Sequence, residues 1–479
     1  MAGRAEAATG EPFEEPFADF ARAYIRYQHS AAPMVFERLK SRLWALAHLD
    51  AAFRSLGRPT DVTKMSADVL FAAVRIGGEG VEAAARYQRA AMLQSIFEFC
   101  RDHGFLASPF VWKHGVRKAA DVSERIGEDF ADRRAAKVPG RKVIDILAHA
   151  YCEPKNFRDK VMSAVTAVCM CVPIRIHEVL QLKTDSGCPD ERRNDDDQIV
   201  PAFGFRVFPG KGNAPQIKWV PDVMADLAQE AFSRLSGIGS SGRAIADWYG
   251  RNPDKVYLPT DAEHLRHVPI LSAADLGDLV GSAHPVDWAK RQGVTPVKSD
   301  KNTSIGYRFE DFERAVLAQL PNDFPLHNGQ PAHQYSSSLI LVRRGSLRAD
   351  TIGDGSRVMF EPIGIHIYGR WLSGAPEYPS VFERYGFANN DGSSIEHTSH
   401  SFRHWLNDVA HRRGMSAMDI AHWSGRDPAQ NKFYDHQTPA QFHADLLDMA
   451  EKAGGIGPLF EAADALPDTK LISRSEFLA

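Results

Sequence analysis

The sequence predicts a mainly α-helical chain of two domains, with a small β-sheet or hairpin in the second. Three observations carry this. Apolar residues recur at helical spacing through much of residues 20–104 and again from about residue 157. One stretch, 201–222, switches to alternation around a glycine-rich turn. The chain has 479 residues, too many for one ordinary core, so two or three domains are expected.

The elements follow in order. Residues 1–18 are acidic and contain proline and glycine, which reads as a loose segment. "MVFERLKSRLWALAHLDAAF" places Phe36, Leu39, Leu43 and Leu46 near helical spacing. "ARYQRAAMLQSIFEFCRDHG" repeats the device with Ala90, Ile96, Phe97 and Cys100, and Gly104 ends it as a C-cap would. A helical domain of four or five helices over 19–130 results. "DRRAAKVPGRK" gathers Arg133, Arg134, Lys137, Arg141 and Lys142 around a Pro-Gly break, a basic linker at 131–142. Composition alone makes it a solvated linker; the functional reading is a strap along a polyanion.

"FRDKVMSAVTAVCMCVPIRIHEVLQLK" holds a long apolar helix, then Pro173 in the first turn of a new helix with Ile176, Val179 and Leu180 inward. "SGCPDERRNDDDQ" reads as a charged loop. In "PAFGFRVFPGKGNAPQIKWVPD", Phe203, Phe205 and Val207 alternate, "PGKGN" turns the chain, and Ile217, Trp219 and Pro221 follow, a hairpin with Lys211 at its tip. Between about 235 and 395, "SGIGSSGRA" looks like a loop, "FEDFERAVLAQL" like an amphipathic helix, and "FEPIGIHIYGRW" fits strand or helix. Residues 455–479 read as a tail.

Composition bounds the function. Hydrophobic content of 44% and charged content of 25% describe an ordered globular chain. The net charge of −4 does not favour a nucleic-acid binder, yet a local basic stripe suffices for one. No apolar run approaches a membrane span of ~20 residues, and the N-terminus lacks an apolar signal region. Five cysteines without a CxxC pair argue against a disulfide framework or zinc ribbon, and Cys169 and Cys171 read as buried thiols. A cytoplasmic protein without membrane contact is expected.

The densest chemistry lies in "HTSHSFRHWLNDVAHRRG", residues 397–414. Phe402, Trp405, Leu406 and Val409 form one helical face, and His400, Arg403, His404, Asn407 and His411 a neighbouring one. His400 and His404 have the i, i+4 spacing of a zinc helix, but the glutamate is absent and Arg403 between them would repel a cation. No metal is expected. A solvated basic face remains open for this segment alone. Two further segments matter: "PIRIHEVLQLK", with Arg175 and Glu178 at a helix start, and "NKFYDH", with Tyr434.

Together these motifs resemble the tyrosine recombinase, or phage-integrase, family. "IRIHEVLQLK" is similar to its R-x-x-E-[LV]-x-x-L segment, "HSFRH" to its H-x-x-R-H box, "FYDH" to its terminal Y-x-H, and "GKGNAPQIKWVP" to the hairpin that carries its lysine. The likeness covers roughly 140–235 and 395–450, with 20–115 matching the core-binding domain by architecture only. It implies a two-domain clamp: a helical N-terminal domain and an α+β catalytic domain over 143–454, with an insertion at about 235–395. It implies double-stranded DNA as partner, a homotetramer on DNA with other recombinases or accessory proteins as further partners, and no cofactor.

The implied roles make chemical sense. Arg175 and Arg403 grip the non-bridging oxygens through permanently charged forks, and His400 donates a further hydrogen bond. Preorganised donors of this kind contribute ~3–4 kcal/mol each. Tyr434 is the nucleophile, and its phenol, with an ordinary pKa near ~10, needs nearby positive charge or a base. Lys211 protonates the leaving 5′-oxygen, with Lys218 as the competing candidate. Glu178 and His404 are supporting groups. The position usually held by histidine or tryptophan falls to Arg426, after Gly425 ends a helix; His422 and Trp423 are the alternatives. Within 235–395, "YGRW", "VRRG" and "KSDKNTSIGYR" are candidate contacts with DNA or a partner, or structural. The rival readings are a transposase or type IB topoisomerase-like enzyme, a non-catalytic DNA-binding protein on this scaffold, and a histidine-rich metal hydrolase.

Overall fold

The structure is a computed structural model. It describes residues 12–425 except 35, 119–137, 194–196, 209–214, 299–304, 328–329, 331, 349–354, 377, 390–391 and 396. The chain forms two compact units, Met1–Val122 and Ser123–Ala479. Both are dominated by helices, with small antiparallel sheets in the second.

The first unit packs α1 (Phe17–Ala31), α2 (Phe36–Ser55), α3 (Ala67–Gly78) and α4 (Ala83–Asp102) around one core. α1 begins at Phe17, which is fully buried, so the helical pattern starts earlier than Phe20. On α2 the inward stripe is Ala45, Leu46, Leu49 and Phe53, whereas Leu43 is 43% exposed. Gly104 takes φ +70° after α4, the left-handed geometry expected of its C-cap role.

The second unit contains two hydrophobic cores. α5 (Arg141–Cys152), α6 (Phe157–Cys171) and the short α7 (Ile176–Leu180) build the first. Asn156 caps α6 by accepting from the Asp159 N–H at 2.8 Å. Pro173 is not in the first turn of α7. It sits in the extended link between α6 and α7, and Arg175 is the N-cap residue. Ile176, Val179 and Leu180 face inward as the spacing predicts. Burial pushes the Cys169 and Cys171 thiols up, Cys171 to about 12, so neither is a ready nucleophile.

"SGCPDERR" is not a loop. β1 (Gly187–Arg193) pairs antiparallel with β2 (Ile199–Val207), which pairs with β3 (Gln216–Trp219). β1 is an edge strand whose charged side chains are mostly exposed, with Arg192 lying over the Trp219 ring at 3.9 Å, so its pairing is carried by backbone and leaves no apolar alternation. β3 also differs from expectation in phase. Lys218 (2% exposed) and Val220 face the core opposite Phe205 and Phe203, while Ile217 is 39% exposed. Gly204 makes this possible. A Cβ there would lie 2.7 Å from Ile217 and 2.8 Å from Trp219, so both side chains cross its bare backbone.

The largest revision is α8 (Ala225–Arg251). "SGIGSSGRA" lies in its middle. Its first half contributes Ala228 and Leu235 to one core and its second half Ile245 and Tyr249 to the other. Gly239 and Gly242 are there because β7 (Leu341–Arg343) and the residues before it cross the helix at backbone distance. A Cβ at either would stand 2.2 Å from a carbonyl, that of Leu339 or Leu341. The second core is closed by β4 (Ile270–Ser272), α9 (Ala273–Val280), α10 (Pro285–Arg291), β5 (Pro296–Lys298), β6 (Ile305–Arg308) and α11 (Phe309–Leu317). The amphipathic helix expected at 309–320 is α11. "FEPIGIHIYGRW" supplies both alternatives: β8 (Phe360–Pro362), paired with β7, then α12 (Ile365–Ser373). Tyr368 and Trp371 of "YGRW" are core residues. The short α13 (Val381–Arg384) precedes α14 (Ser399–Arg412) and α15 (Ala417–Ser424). Among the described residues no helix is long and apolar enough to cross a membrane.

Where the two cores meet, buried His327 and His333 both contact the Ser338 hydroxyl, at 3.1 and 3.0 Å. Burial pushes both imidazoles down, His333 to about 4, helped by His327 and Lys183 and opposed by Asp185; Asp323 opposes the shift at His327. The unfolded chain takes up protons near ~6.5 while the folded one does not. Stability is therefore complete above ~6.5 and falls as pH drops toward 4, by ~2–3 kcal/mol from His333. Urea unfolding from pH 7 to 4.5 should show a smaller loss in His333→Gln than in the parent; equal losses would remove His333 from the cause.

Candidate active site

The site is built where the link after α6 meets β3, α14 and α15. α14 carries the histidine-arginine box. Its apolar face packs inward through Phe402 and Leu406, yet Arg403 (1% exposed), His404 (8%) and Asn407 (2%) are buried as well. The Arg403 guanidinium donates from Nη1 to the Pro173 carbonyl at 2.9 Å and from Nη2 to the Ser424 carbonyl at 2.8 Å. Lys218 reaches the same two carbonyls from β3, at 3.1 Å and 3.0 Å, and the Trp423 carbonyl at 3.1 Å. An ammonium has three N–H donors, and three carbonyls receive them.

This determines what Lys218 does. The buried ammonium in its carbonyl cage braces β3, α15 and the Pro173 link. Lys211, the first candidate for the acid, lies outside the described residues, between β2 and β3.

Arg175 and Glu178 form one unit. The Glu178 carboxylate accepts from the Arg175 backbone N–H and from its guanidinium, both at 2.9 Å, which caps α7. Glu178 is almost fully buried, whereas 31% of the Arg175 side chain is exposed. Burial raises a carboxyl's pKa. The Arg175 backbone N–H, the Lys218 charge and the Arg175 guanidinium more than offset this, so Glu178 is held below the usual carboxylate range and is ionised at neutral pH.

His400 is exposed on α14 and its ring meets that of His404 edge to face, centroids 4.9 Å apart. α15 ends as the glycine suggests: Gly425 takes φ +65° as its left-handed C-cap. A Cβ there would lie 2.6 Å from the Gln216 amide nitrogen, the movable end of a side chain, so the positive φ rather than this contact calls for glycine. Of the alternatives for the next position, the Trp423 indole donates to the Trp219 carbonyl at 2.8 Å, and His422 is exposed on α15. Arg426 and Tyr434 lie outside the described residues.

The structure thus brings together Arg175, Glu178 and Arg403, with His404 beside His400 on the same helix. Sequence reasoning missed the Pro173 and Ser424 carbonyls, and it placed Asn407 on the polar face without its partner, the Ser424 hydroxyl, from which its Oδ1 accepts at 2.8 Å. A signal for Lys218 existed. It stands two residues before Val220, in phase with the buried face of the hairpin. Backbone carbonyls leave no such mark. Of the basic linker, Arg133, Arg134 and Lys137 lie outside the described residues. Arg141 is exposed, 3.9 Å from Asp145, and Lys142 donates to the Ala388 carbonyl at 2.8 Å.

No family model and no curated protein matches the sequence. Solved structures similar to the chain include the XerH site-specific recombinase bound to palindromic difH substrate in a post-cleavage complex. That match has 8% identity, covers 91% of this chain and 84% of that one, and has a TM-score of 0.40. Another is the Tn1549 transposon integrase in complex with transposon right end DNA, with 11% identity, 91% and 99% covered, and a TM-score of 0.44. With identities this low and TM-scores below 0.5, residue roles follow from this chain's own chemistry alone.

Replacing Lys218 by methionine keeps the stem's packing and removes the donors. The Trp423 carbonyl then loses its Lys218 bond, and Pro173 and Ser424 retain Arg403. Urea unfolding should show a loss of about 1–3 kcal/mol. A variant as stable as the parent would mean that the ammonium is not held in the cage and would reopen its candidacy as proton donor.

Proposed function

We propose that this chain cuts and rejoins duplex DNA through a covalent 3′-phosphotyrosyl intermediate, using neither metal nor nucleotide. The observation that carries the reading is the charge gathered around the Pro173 carbonyl. Among the described residues, Arg175 and Lys218 act on one carboxylate, Glu178, and Arg403 donates to the same Pro173 carbonyl as Lys218, close to where the half-buried Arg175 and the exposed His400 reach solvent. Positive charge fixed in a poorly solvated setting favours an anion, and more so as charge grows on its oxygens in the transition state.

In this reading Arg175 forks onto a non-bridging oxygen, held in place by Glu178. His400 donates a second hydrogen bond, with His404 behind it as support. Arg403 acts from a buried position, adding charge and fixing the link that carries Arg175. The Tyr434 oxygen attacks phosphorus, a P–O bond to the phenol forms, and the bond to the 5′-oxygen breaks. That oxygen takes its proton from Lys211. The phenolic proton leaves to a base or to water under the nearby positive charge. Arg426 adds charge close to Tyr434. The new ester is similar in energy to the old one, so the reverse attack by a 5′-hydroxyl rejoins strands without ATP.

The helical N-terminal unit and the second unit would grip the duplex, with 131–142 along the backbone and phosphate contacts dominating affinity. Exchange between two duplexes needs two cleaving subunits on each, hence a tetramer on DNA. The 235–395 region is read as an insertion in the catalytic domain.

A nicked suicide duplex tests the proposal. A covalent protein–DNA adduct should form in EDTA, disappear in Tyr434→Phe, and form more slowly in Arg426→Ala with DNA binding unchanged. An adduct that persists in Tyr434→Phe, or that requires divalent metal, contradicts it.

A further inference from the structure

At the far end of α6 from Pro173 lies a cleft of about 480 Å³ between the first turn of α6, the middle of α8 and the end of β7. α6 rises ~1.5 Å per residue, so its 15 residues separate this cleft from the cationic cluster by roughly 20 Å. Its lining includes Lys160, Arg234, Arg343 and Ser346, with Phe157 and Ile238 as an apolar wall. No carboxylate is among the described residues that line it.

The cations differ in how far they are committed. Arg234 already holds the Tyr151 carbonyl at 2.6 Å and Glu230 at 2.7 Å. Lys160 is exposed, and no described acidic group pairs with it. Arg343 is half-buried at the end of β7, in the "VRRG" stretch that the strand-transfer reading leaves without a role. Its Nε and the Ser346 Oγ are both buried, and neither has a hydrogen-bond partner among the described residues. A buried guanidinium N–H and a buried hydroxyl are costly unless something accepts from them. Among the described residues neither Arg343 nor Lys160 has a carboxylate partner, so an anionic acceptor fits this place best. A phosphate offers several oxygens to a guanidinium, an ammonium and a hydroxyl at once. Phe157, 39% exposed, offers a ring face beside them.

We propose that this cleft binds a small phosphorylated molecule with a flat apolar body, the chemistry of a mononucleotide. Arg343, Ser346 and Lys160 take the phosphate, and Phe157 stacks on the body. The site is separate from the proposed strand transfer and stands or falls without it.

Calorimetry on the full chain with AMP, adenosine and inorganic phosphate tests this. AMP should bind saturably, phosphate more weakly, and adenosine not measurably. Arg343→Gln should weaken AMP about tenfold or more, the loss of one charge-assisted hydrogen-bond group, with an unchanged melting temperature. Lys160→Gln, at an exposed position, should weaken AMP in the same direction. Absence of AMP binding by the parent, or AMP binding that neither substitution alters, overturns the proposal. So does displacement of AMP by a duplex oligonucleotide, which would assign the cleft to DNA.

Discussion

Two backbone carbonyls, those of Pro173 and Ser424, each receive hydrogen bonds from two buried cations, Arg403 and Lys218. Most of what the site can do depends on this. The Ser424 carbonyl is at the last residue of α15, where a helix leaves carbonyls without intrahelical donors. The Pro173 carbonyl lies in an extended link that no ladder satisfies. Each would be costly to bury alone, and so would each cation. Brought together they offset one another. The 172–175 link, β3 and the consecutive helices α14 and α15 are joined at one point.

The functional side chains are set by that joint. Arg175 follows the Pro173 carbonyl by two residues and is further held by Glu178, so its half-buried side chain is fixed by two attachments. His400 lies one helical turn from buried His404 on α14, whose position is fixed through Arg403. Glu178 remains ionised because Lys218 and Arg175 face it. The outcome is an exposed edge of donors backed by buried charge, a pre-organised setting for an anion rather than a flexible basic surface.

What could be read in the sequence was whatever side-chain chemistry announces. The helices of the first unit, the hairpin after residue 199, α11, and the glycine stop at Gly425 all follow from periodicity or backbone demands that residue types reveal. So does the pairing of Arg175 with Glu178, three residues apart. The misreadings have physical causes. "SGIGSSGRA" carries the composition of a loop, but Gly239 and Gly242 are small because a strand's carbonyls cross α8 there. β1 pairs through backbone and shows only charge. Lys218 reads in the sequence as a competing candidate for the acid, and Ile217, its apolar neighbour, sets the apparent phase of β3; a buried lysine is legible only once its carbonyl partners are known.

The shared carbonyls lead to a definite energetic signature. Removing either cation leaves Pro173 and Ser424 with one donor each and relieves repulsion between the two charges. Removing both strips the carbonyls, while the repulsion can be relieved only once. A double-mutant cycle in urea on Arg403→Met and Lys218→Met tests this directly. The double variant should lose more stability than the sum of the two singles, by about 1–2 kcal/mol. Additive losses, within ~0.5 kcal/mol, would contradict the account by showing that the two cations do not act on a common joint.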